Sequence, residues 1–282
     1  MIIKYRTDLA SEALGAEKLN SPFPGLEWRE ESIFGLKALG VSIFGDEASK
    51  RLGKAKGTYH TLYLDEDFQR RGENFPAGVK AVAELIGRSL EGRHPESCLI
   101  AALGNPDITP DALGPLCASN ILVTRHLKEQ GIGYFNSFAS VALCRTGVLG
   151  TTGLESARQI KLLCDELRPE LVIAVDALAG SEAQWLCRSV QISSSGIAPG
   201  SGVKNDRMEL SAQALGVPVV AIGVPTVIDA GSISSEEGLE DMFVTPRGID
   251  SQVRCCARLI GYGINLAMHP GLGIEDVDML LG

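Results

Sequence analysis

Three familiar signatures are missing from this sequence. It has no two cysteines in C-x-x-C spacing, no G-x-S-x-G motif and no apolar run long enough to cross a membrane. The first absence disfavours a zinc ribbon or a dithiol redox centre, the second a nucleophile elbow, and the third a membrane-spanning helix. The seven cysteines are odd in number and lie mostly in apolar runs, and no secretory signal precedes them. We interpret them as reduced core residues of a cytoplasmic protein.

Histidine is also scarce, and acidic side chains outnumber basic ones. The four histidines stand at positions 60, 94, 126 and 269. None of these positions lies in a loop that follows a predicted core strand, which disfavours a serine–histidine–aspartate triad. The formal net charge of −9 argues against a nucleic acid or an anionic membrane as the main partner. A length of 282 residues suits one large α/β domain or two small ones.

Two apolar runs are each followed by an aspartate. Leu99–Leu103 has a buried-strand pattern, and after a short loop Asp111 enters a helical pattern. Leu171–Val175 is the second run, and Asp176 follows it directly. If the runs are neighbouring parallel strands, both carboxylates emerge at one edge of the sheet, where open α/β sheets carry their active sites.

Such a pair of aspartates is suited to hydrolysis. Two nearby carboxylates repel, so one of them holds a proton at neutral pH, and the pair can serve as acid and base. The sequence therefore predicts Asp111 and Asp176 as catalytic residues. The structural alternative is that Asp111 only complements a helix dipole and Asp176 only ends a strand.

Further apolar patterns predict the rest of the core. Val219–Val224 is a third buried strand, and helical patterns cover 75–90, 111–127, 154–167, 207–215 and 250–268. Because strands alternate with helices, we expect an α/β fold with a mostly parallel sheet and helices on both faces.

The N-terminal part has a different pattern. Leu36–Phe44 and Gly57–Leu64 predict a β-hairpin around a basic turn at Lys50–Lys56. Residues 1–30 are polar and mixed, which predicts a mobile arm.

A glycine-rich loop, Gln191–Gly202, lies between two predicted core elements. Long loops in compact domains often carry function, and glycine-rich turns expose N–H groups. We expect the main chain of Ser193–Gly202 to bind the substrate backbone or to stabilise an oxyanion. The candidate substrate-binding residues are Asn105, Ser194, Gly196, Gly200, Ser201 and Gly202.

Several longer segments, taken together, are more specific than any single motif. They include Arg6–Ala10, Leu103–Asn105, Thr109–Pro115, Leu122–His126, Val148–Gly153, Val172–Ala179, Gln191–Gly202 and Val217–Ala230. In these segments the chain resembles the germination proteases of spore-forming bacteria over nearly its whole length. The resemblance implies an endopeptidase of the spore core that degrades the small acid-soluble proteins coating spore DNA. It also implies a zymogen and a homotetramer, and the carboxylates proposed for catalysis in the family match Asp111 and Asp176. We expect no cofactor.

The resemblance also gives the N-terminal segment a meaning. Thr7–Glu12 is similar to the family's substrate cleavage sequence: an acid, an apolar residue, alanine, a small residue and glutamate. An arm that imitates the substrate can be cut by the enzyme itself. This implies self-cleavage between Asp8 and Leu9, with residues 1–8 as a pro-segment and residues 9–282 as a single α/β protease domain.

Two alternatives stay open. The two aspartate segments also look like a shortened form of the hydrogenase-maturation endopeptidases, which implies a similar fold and a metal-dependent variant of the activity. Two carboxylates without a nearby imidazole bind nickel or zinc poorly, so we expect no metal. A non-catalytic binding protein is the other alternative, because a fold alone does not determine function.

Overall fold

The computed structural model describes residues 7–17, 24–65, 74–198, 208–233 and 242–282, together with positions 68, 72 and 239. The strands are β1 (Leu26–Ile33), β2 (Leu36–Ile43), β3 (Gly57–Tyr63), β4 (Ser97–Leu103), β5 (Ser140–Gly147), β6 (Leu171–Gly180), β7 (Ser189–Ser193), β8 (Val219–Asp229) and β9 (Phe243–Val244). The helices are α1 (Ala10–Glu17), α2 (Asp46–Leu52), α3 (Phe75–Ser89), α4 (Leu113–Ala118), α5 (Arg125–Glu129), α6 (Leu149–Thr152), α7 (Ser156–Leu167), α8 (Ala212–Leu215), α9 (Ile249–Met268) and α10 (Ile274–Leu281). None of the described helices combines the length and the apolar composition needed to cross a bilayer.

These strands form one mixed sheet in the order β1-β2-β3-β7-β8-β6-β4-β5, with β9 beside β8. Strands β8, β6, β4 and β5 run parallel to one another. Strands β1, β2, β3 and β7 form an antiparallel half, which β7 joins to β8. The predicted α/β class is confirmed, but the sheet is mixed rather than mostly parallel. The sequence pattern did not predict the antiparallel half, because an apolar pattern identifies a strand but not the strand with which it pairs. Here β3 pairs with β7, which lies much later in the chain.

The N-terminal part contains more regular structure than predicted. Strands β2 and β3 pair as expected, but helix α2 connects them instead of a basic turn. Strand β1 begins within the predicted mobile arm. It is an edge strand in which only Leu26 and Ile33 are buried, so its sequence is mostly polar. The prediction of a mobile arm is therefore wrong for the described part of residues 1–30.

Apolar side chains pack on both faces of the sheet. On one face, α3 and α9 cover a large core that includes Val220 and Ile222 of β8. On the other face, α7 covers the parallel half around Val172 and Ala174, while α1 and α2 cover the antiparallel half. Helices on both faces are thus confirmed. The core under α7 and the core under α1 and α2 do not meet over the middle of this face, which β7 and β8 form. The site described below lies there.

The core contains one histidine whose titration should couple to stability. His269 follows α9 and packs against Phe138, with ring centroids 5.0 Å apart. Burial lowers the pKa of His269 from its ordinary 6.5 to about 4. Because the folded-state pKa is the lower one, the stability that neutral His269 contributes is present above pH 6.5 and is lost as the pH falls toward 4.

We therefore expect His269 to account for a loss of about 2 kcal/mol of unfolding free energy between pH 7 and pH 5. Urea unfolding of the wild type and of His269→Leu at both pH values measures this contribution. The variant should lose about 2 kcal/mol less than the wild type over this interval, whatever its stability at pH 7. An equal loss in both proteins would contradict the assignment.

Candidate active site

Asp111 lies just beyond the carboxyl end of β4, as predicted. The strand ends at Leu103, and a short loop leads into a 3₁₀ turn, Thr109–Asp111. This loop closes on itself, because the Asn105 N–H donates to Asp111 Oδ2 at 2.9 Å and to the Asp111 carbonyl at 3.0 Å. Asp111 is half-buried, and the backbone of its own loop holds its carboxylate.

Asp176 lies inside β6 rather than at its end. The apolar pattern predicts that the strand stops here, but β6 continues to Gly180. Asp176 pairs with Gly223 of β8, and by strand alternation its side chain is on the same face as Ala174. It is only 4% exposed, and Asp176 Oδ1 accepts a hydrogen bond from the Ala177 N–H at 2.9 Å.

Close backbone packing brings helix α4 against β4 and β6. Gly114 lies in the first turn of this helix. A Cβ atom at this position would be 2.2 Å from the Leu103 carbonyl oxygen and 2.7 Å from the Val175 carbonyl oxygen. The helix that follows Asp111 is therefore seated against the main chain of Val175, the residue before Asp176, and packs on the face of the sheet opposite to the Asp176 side chain.

A second contact ties the Asp111 turn to β8. The Thr226 hydroxyl donates to the Pro110 carbonyl at 2.7 Å. The 3₁₀ turn also contacts β6. Asp111 thus lies just beyond the end of β4, and Asp176 lies in β6 level with that end, because its neighbour Val175 pairs with Ala102. Their catalytic role stays a prediction.

A cavity of about 790 Å³ lies beside this edge, over the middle of the sheet. It is in the size range of ligand-binding pockets. Asp111 and Asp176 do not line it. Its wall does include Leu178 of β6 and Gly223, the register partner of Asp176. The other lining residues include Lys50, Arg51, Lys54, Tyr59, Ser181, Gln191, Ser193, Ser195, Gly196 and Glu209.

The predicted loop residues have different roles. Ser194 is not among the lining residues, because its Oγ accepts from the Thr58 N–H at 3.0 Å and its N–H donates to the Thr58 carbonyl at 3.0 Å. Gly196 lines the cavity at a φ of +87°, and a Cβ atom there would be 2.2 Å from the Leu210 carbonyl oxygen. Gly200, Ser201 and Gly202 lie outside the described residues.

Asn105 lies in the Asp111 loop and not in the wall of the cavity. It is buried, and its Oδ1 accepts from the Asp107 N–H at 3.0 Å. Asn105 therefore shapes the loop that holds Asp111, and it does not line the cavity.

The N-terminal segment is docked along the same cavity. The Asp8 N–H donates to the Ala179 carbonyl at 2.8 Å, and the Ala179 N–H donates to Asp8 Oδ2 at 2.9 Å. The Gln191 side chain donates to the Asp8 carbonyl at 3.1 Å and accepts from the Ala10 N–H at 2.7 Å. Leu9 is fully buried. The bond predicted for self-cleavage, Asp8–Leu9, is thus held inside the protein.

The pKa values of a buried tyrosine and of several buried cysteines favour their protonated forms. Burial raises the pKa of Tyr59 to about 12 and that of Cys187 to about 12. Burial also raises the pKa of Cys98 and Cys117 above the ordinary thiol range. A thiolate nucleophile is therefore disfavoured at these positions.

Histidines and metal ligands do not gather at this edge in the described ranges. His60 lies on β3, and burial lowers its pKa. Across the described stretches, no three histidine, cysteine, aspartate or glutamate side chains are placed to hold one metal ion.

The sequence pattern did not identify the residues that hold the N-terminal segment. These are Lys54, Ala179, Ser181, Glu182 and Gln191. One signal was present in β7, where polar Ser189, Gln191 and Ser193 alternate with apolar residues. A polar face on a central strand predicts that something other than a core packs there.

Comparison with known proteins gives one consistent family. The family model described as germination protease matches residues 6–239. A germination protease of Caldanaerobacter subterraneus is 36% identical over 100% of this chain and 99% of its own length. One from Clostridium perfringens is 32% identical over 98% of both chains. One from Bacillus cytotoxicus is 42% identical over 82% of this chain and 65% of its own length.

Proposed function

Because this chain belongs to the germination protease family and is therefore a peptidase, we propose that it is an endopeptidase of small acid-soluble spore proteins. The observation that carries the chemistry is the position of Asp111 just beyond the end of β4 and of Asp176 in the neighbouring strand β6, level with that end. The adjoining cavity supports the proposal, because its volume accommodates a peptide segment.

In the proposed mechanism the two aspartates act as general base and general acid. One carboxylate accepts a proton from a water molecule while the oxygen of that water attacks the peptide carbonyl carbon. The other carboxyl group donates a proton to the amine as the C–N bond breaks. We treat Asp111 and Asp176 as one unit, because coupled carboxylates titrate together. We propose that the substrate contacts the cavity wall at Gly196. The N–H groups of Ser195 and Ile197 on either side of it are already bonded within the protein.

Further parts of the proposal concern maturation and assembly. We propose that the chain is a zymogen that removes residues 1–8, that it forms a homotetramer, and that it works in the spore core. Asp8 is bound at Ala179, three residues along β6 from Asp176, which is about 10 Å in an extended strand. The N-terminal segment therefore has to move along β6, or come from a second copy, before the Asp8–Leu9 bond reaches the aspartates.

The direct test incubates the full-length protein with a purified small acid-soluble spore protein, with and without a chelator. We expect cleavage that the chelator does not affect, and intact-mass spectra in which the enzyme has lost its first eight residues. Cleavage that stops on chelation would move the assignment to a metal-dependent peptidase. Intact substrate after removal of the first eight residues would contradict the proposed substrate.

A further inference from the structure

A β-bulge interrupts the pairing of β8 with β6. The register shifts by one residue directly after the pair of Leu178 and Pro225, so Thr226 is the extra residue and stands opposite no residue of β6. Bulges are frequent beside active sites, where they direct a side chain out of the regular sheet. This bulge lies three residues along β8 from Gly223, the register partner of Asp176. It is therefore close to the proposed catalytic pair.

The side chain at the bulge holds the turn that carries Asp111. Thr226 is 1% exposed, and its hydroxyl donates to the carbonyl of Pro110, the residue before Asp111, at 2.7 Å. This hydrogen bond is shielded from water, and a buried polar group that loses its partner is costly. The turn follows β4 and is anchored here to β8, and β6 lies between these two strands. The Asp111 turn is thus held on both sides of the strand that contains Asp176.

Two further contacts hold this turn, but they end outside β8. The Asn105 N–H donates to the Asp111 carboxylate and carbonyl, which closes the loop on itself. The Thr109 hydroxyl donates to Asp250 Oδ1 at 2.8 Å, and this contact with the first turn of α9 is exposed to solvent. Water competes for an exposed hydrogen bond, so its net contribution is small. The Thr226 contact, by contrast, is buried and fixes the turn to the sheet.

We propose that Thr226 is a positioning residue, which determines where the Asp111 carboxylate lies relative to that of Asp176. The connection runs from Thr226 along β8 to Gly223, and from Gly223 across the sheet to Asp176. This inference rests on the proposed function, because it takes the two aspartates as the catalytic pair. Their relative position matters because a displacement of about 1 Å can lower the rate of a reaction between positioned groups about a hundredfold. Thr226 does not line the cavity, so it acts through Asp111 and not on the substrate.

Removal of the hydroxyl tests this role. Valine has nearly the shape of threonine without the donor, so Thr226→Val keeps the packing and loses the hydrogen bond to Pro110. We expect kcat for cleavage of a small acid-soluble spore protein to fall about tenfold or more. KM should stay within about twofold of the wild type, because the turn does not line the cavity. Thr226→Ser restores the hydroxyl and should keep kcat within about threefold of the wild type. Equal losses in the valine and serine variants would overturn the proposal.

A double variant and a control separate positioning from a general loss of stability. In a chain that already has Asp111→Asn, Thr226→Val should lower kcat by less than about twofold more, because its effect passes through the Asp111 carboxylate. The control is Thr124→Val, since Thr124 is equally buried and its hydroxyl also donates to a main-chain carbonyl, that of Ala139. Thr124 lies beside the start of β5, at the opposite end of the parallel strands from Asp111, so kcat should stay within about twofold. Losses that multiply in the double variant, or an equal fall of kcat in Thr124→Val, would overturn the proposal.

Hydrogen exchange tests the anchor without requiring cleavage. The N–H groups of Asn105, Asp111 and Ala112 all donate to carbonyl groups within the Asp111 loop. In Thr226→Val these amides should exchange about fivefold or more faster than in the wild type, because the turn loses its buried link to the sheet. Amides of Leu171–Val175 in β6 should keep the wild-type rate. Unchanged exchange in the loop would contradict the role of Thr226. Failure of the wild type to cleave spore proteins would contradict the proposed function instead, and the exchange measurement would still decide on the anchor.

Discussion

Asp176→Asn should lower kcat for peptide cleavage by at least about a hundredfold and leave the fold nearly intact, because general acid–base catalysis contributes roughly 10²–10⁴-fold. Asparagine has the same shape as aspartate, and its amide oxygen still accepts the hydrogen bond from the Ala177 N–H. Asp111→Asn should have a similar effect, since the amide oxygen can still accept from the Asn105 N–H. Steady-state cleavage of a spore-protein substrate measures both.

The matched control is Asp107→Asn. Asp107 lies in the same loop as Asn105, but its side chain is exposed. The Asp107→Asn variant loses one negative charge from the same loop but no proposed catalytic group. Its kcat should therefore stay within about twofold of the wild type. Near-wild-type cleavage by Asp176→Asn would contradict the proposed chemistry. Circular dichroism shows whether each variant is folded.

Gly114→Ala should destabilise the protein by about 2–3 kcal/mol or more, although alanine is the better helix former. The added Cβ would lie 2.2 Å from the Leu103 carbonyl oxygen and 2.6 Å from the Leu103 nitrogen. These are backbone atoms inside β4, so the clash is relieved only if α4 moves away from the sheet. Because α4 follows the Asp111 turn, we also expect cleavage to decrease.

Gly87→Ala provides the opposite control. Gly87 lies in α3, and no atom lies within 4 Å of the position its Cβ would take. Alanine there should stabilise the protein by about 0.5–1 kcal/mol. Urea unfolding of both variants gives the comparison. If Gly114→Ala were as stable as the wild type, α4 would not be seated against β4 and β6 as described.

The core strands of the parallel half were predictable because they are continuous apolar runs. The predicted strand Leu99–Leu103 lies within β4, and the predicted strands that begin at Leu171 and Val219 match the starts of β6 and β8. The ends of β6 and β8 were not predictable. Both continue because they pair with each other up to Gly180 and Ile228, which is a contact between distant parts of the chain.

The helix predicted over 111–127 shows how tertiary contacts override a local pattern. Helix α4 ends at Ala118, and α5 begins at Arg125. Between them, the buried Asn265 side chain donates to the Asn120 carbonyl at 2.8 Å and accepts from the Leu122 N–H at 2.9 Å. Asn265 belongs to α9, so no pattern within 111–127 could show this interruption. By contrast, the predicted helices 75–90, 154–167 and 250–268 match α3, α7 and α9 closely.

The candidate site was predictable in part for the same reason. Each aspartate follows an apolar run, and these runs form the parallel neighbours β4 and β6, so the two positions are near in the sheet although Asp176 lies inside β6. The contacts of Glu12 do not follow from any motif, because their donors, the Ser181 and Glu182 N–H groups and the Ser181 hydroxyl, belong to a distant part of the chain.

The most direct test of the central claim compares the double variant Asp111→Asn/Asp176→Asn with the two single variants. If the two carboxylates act as one catalytic unit, removing the second should cost little more than removing the first. We therefore predict that kcat/KM of the double variant equals that of the weaker single variant within about threefold. A double variant whose loss is the product of the two single losses would show that the aspartates act independently, and would contradict this account.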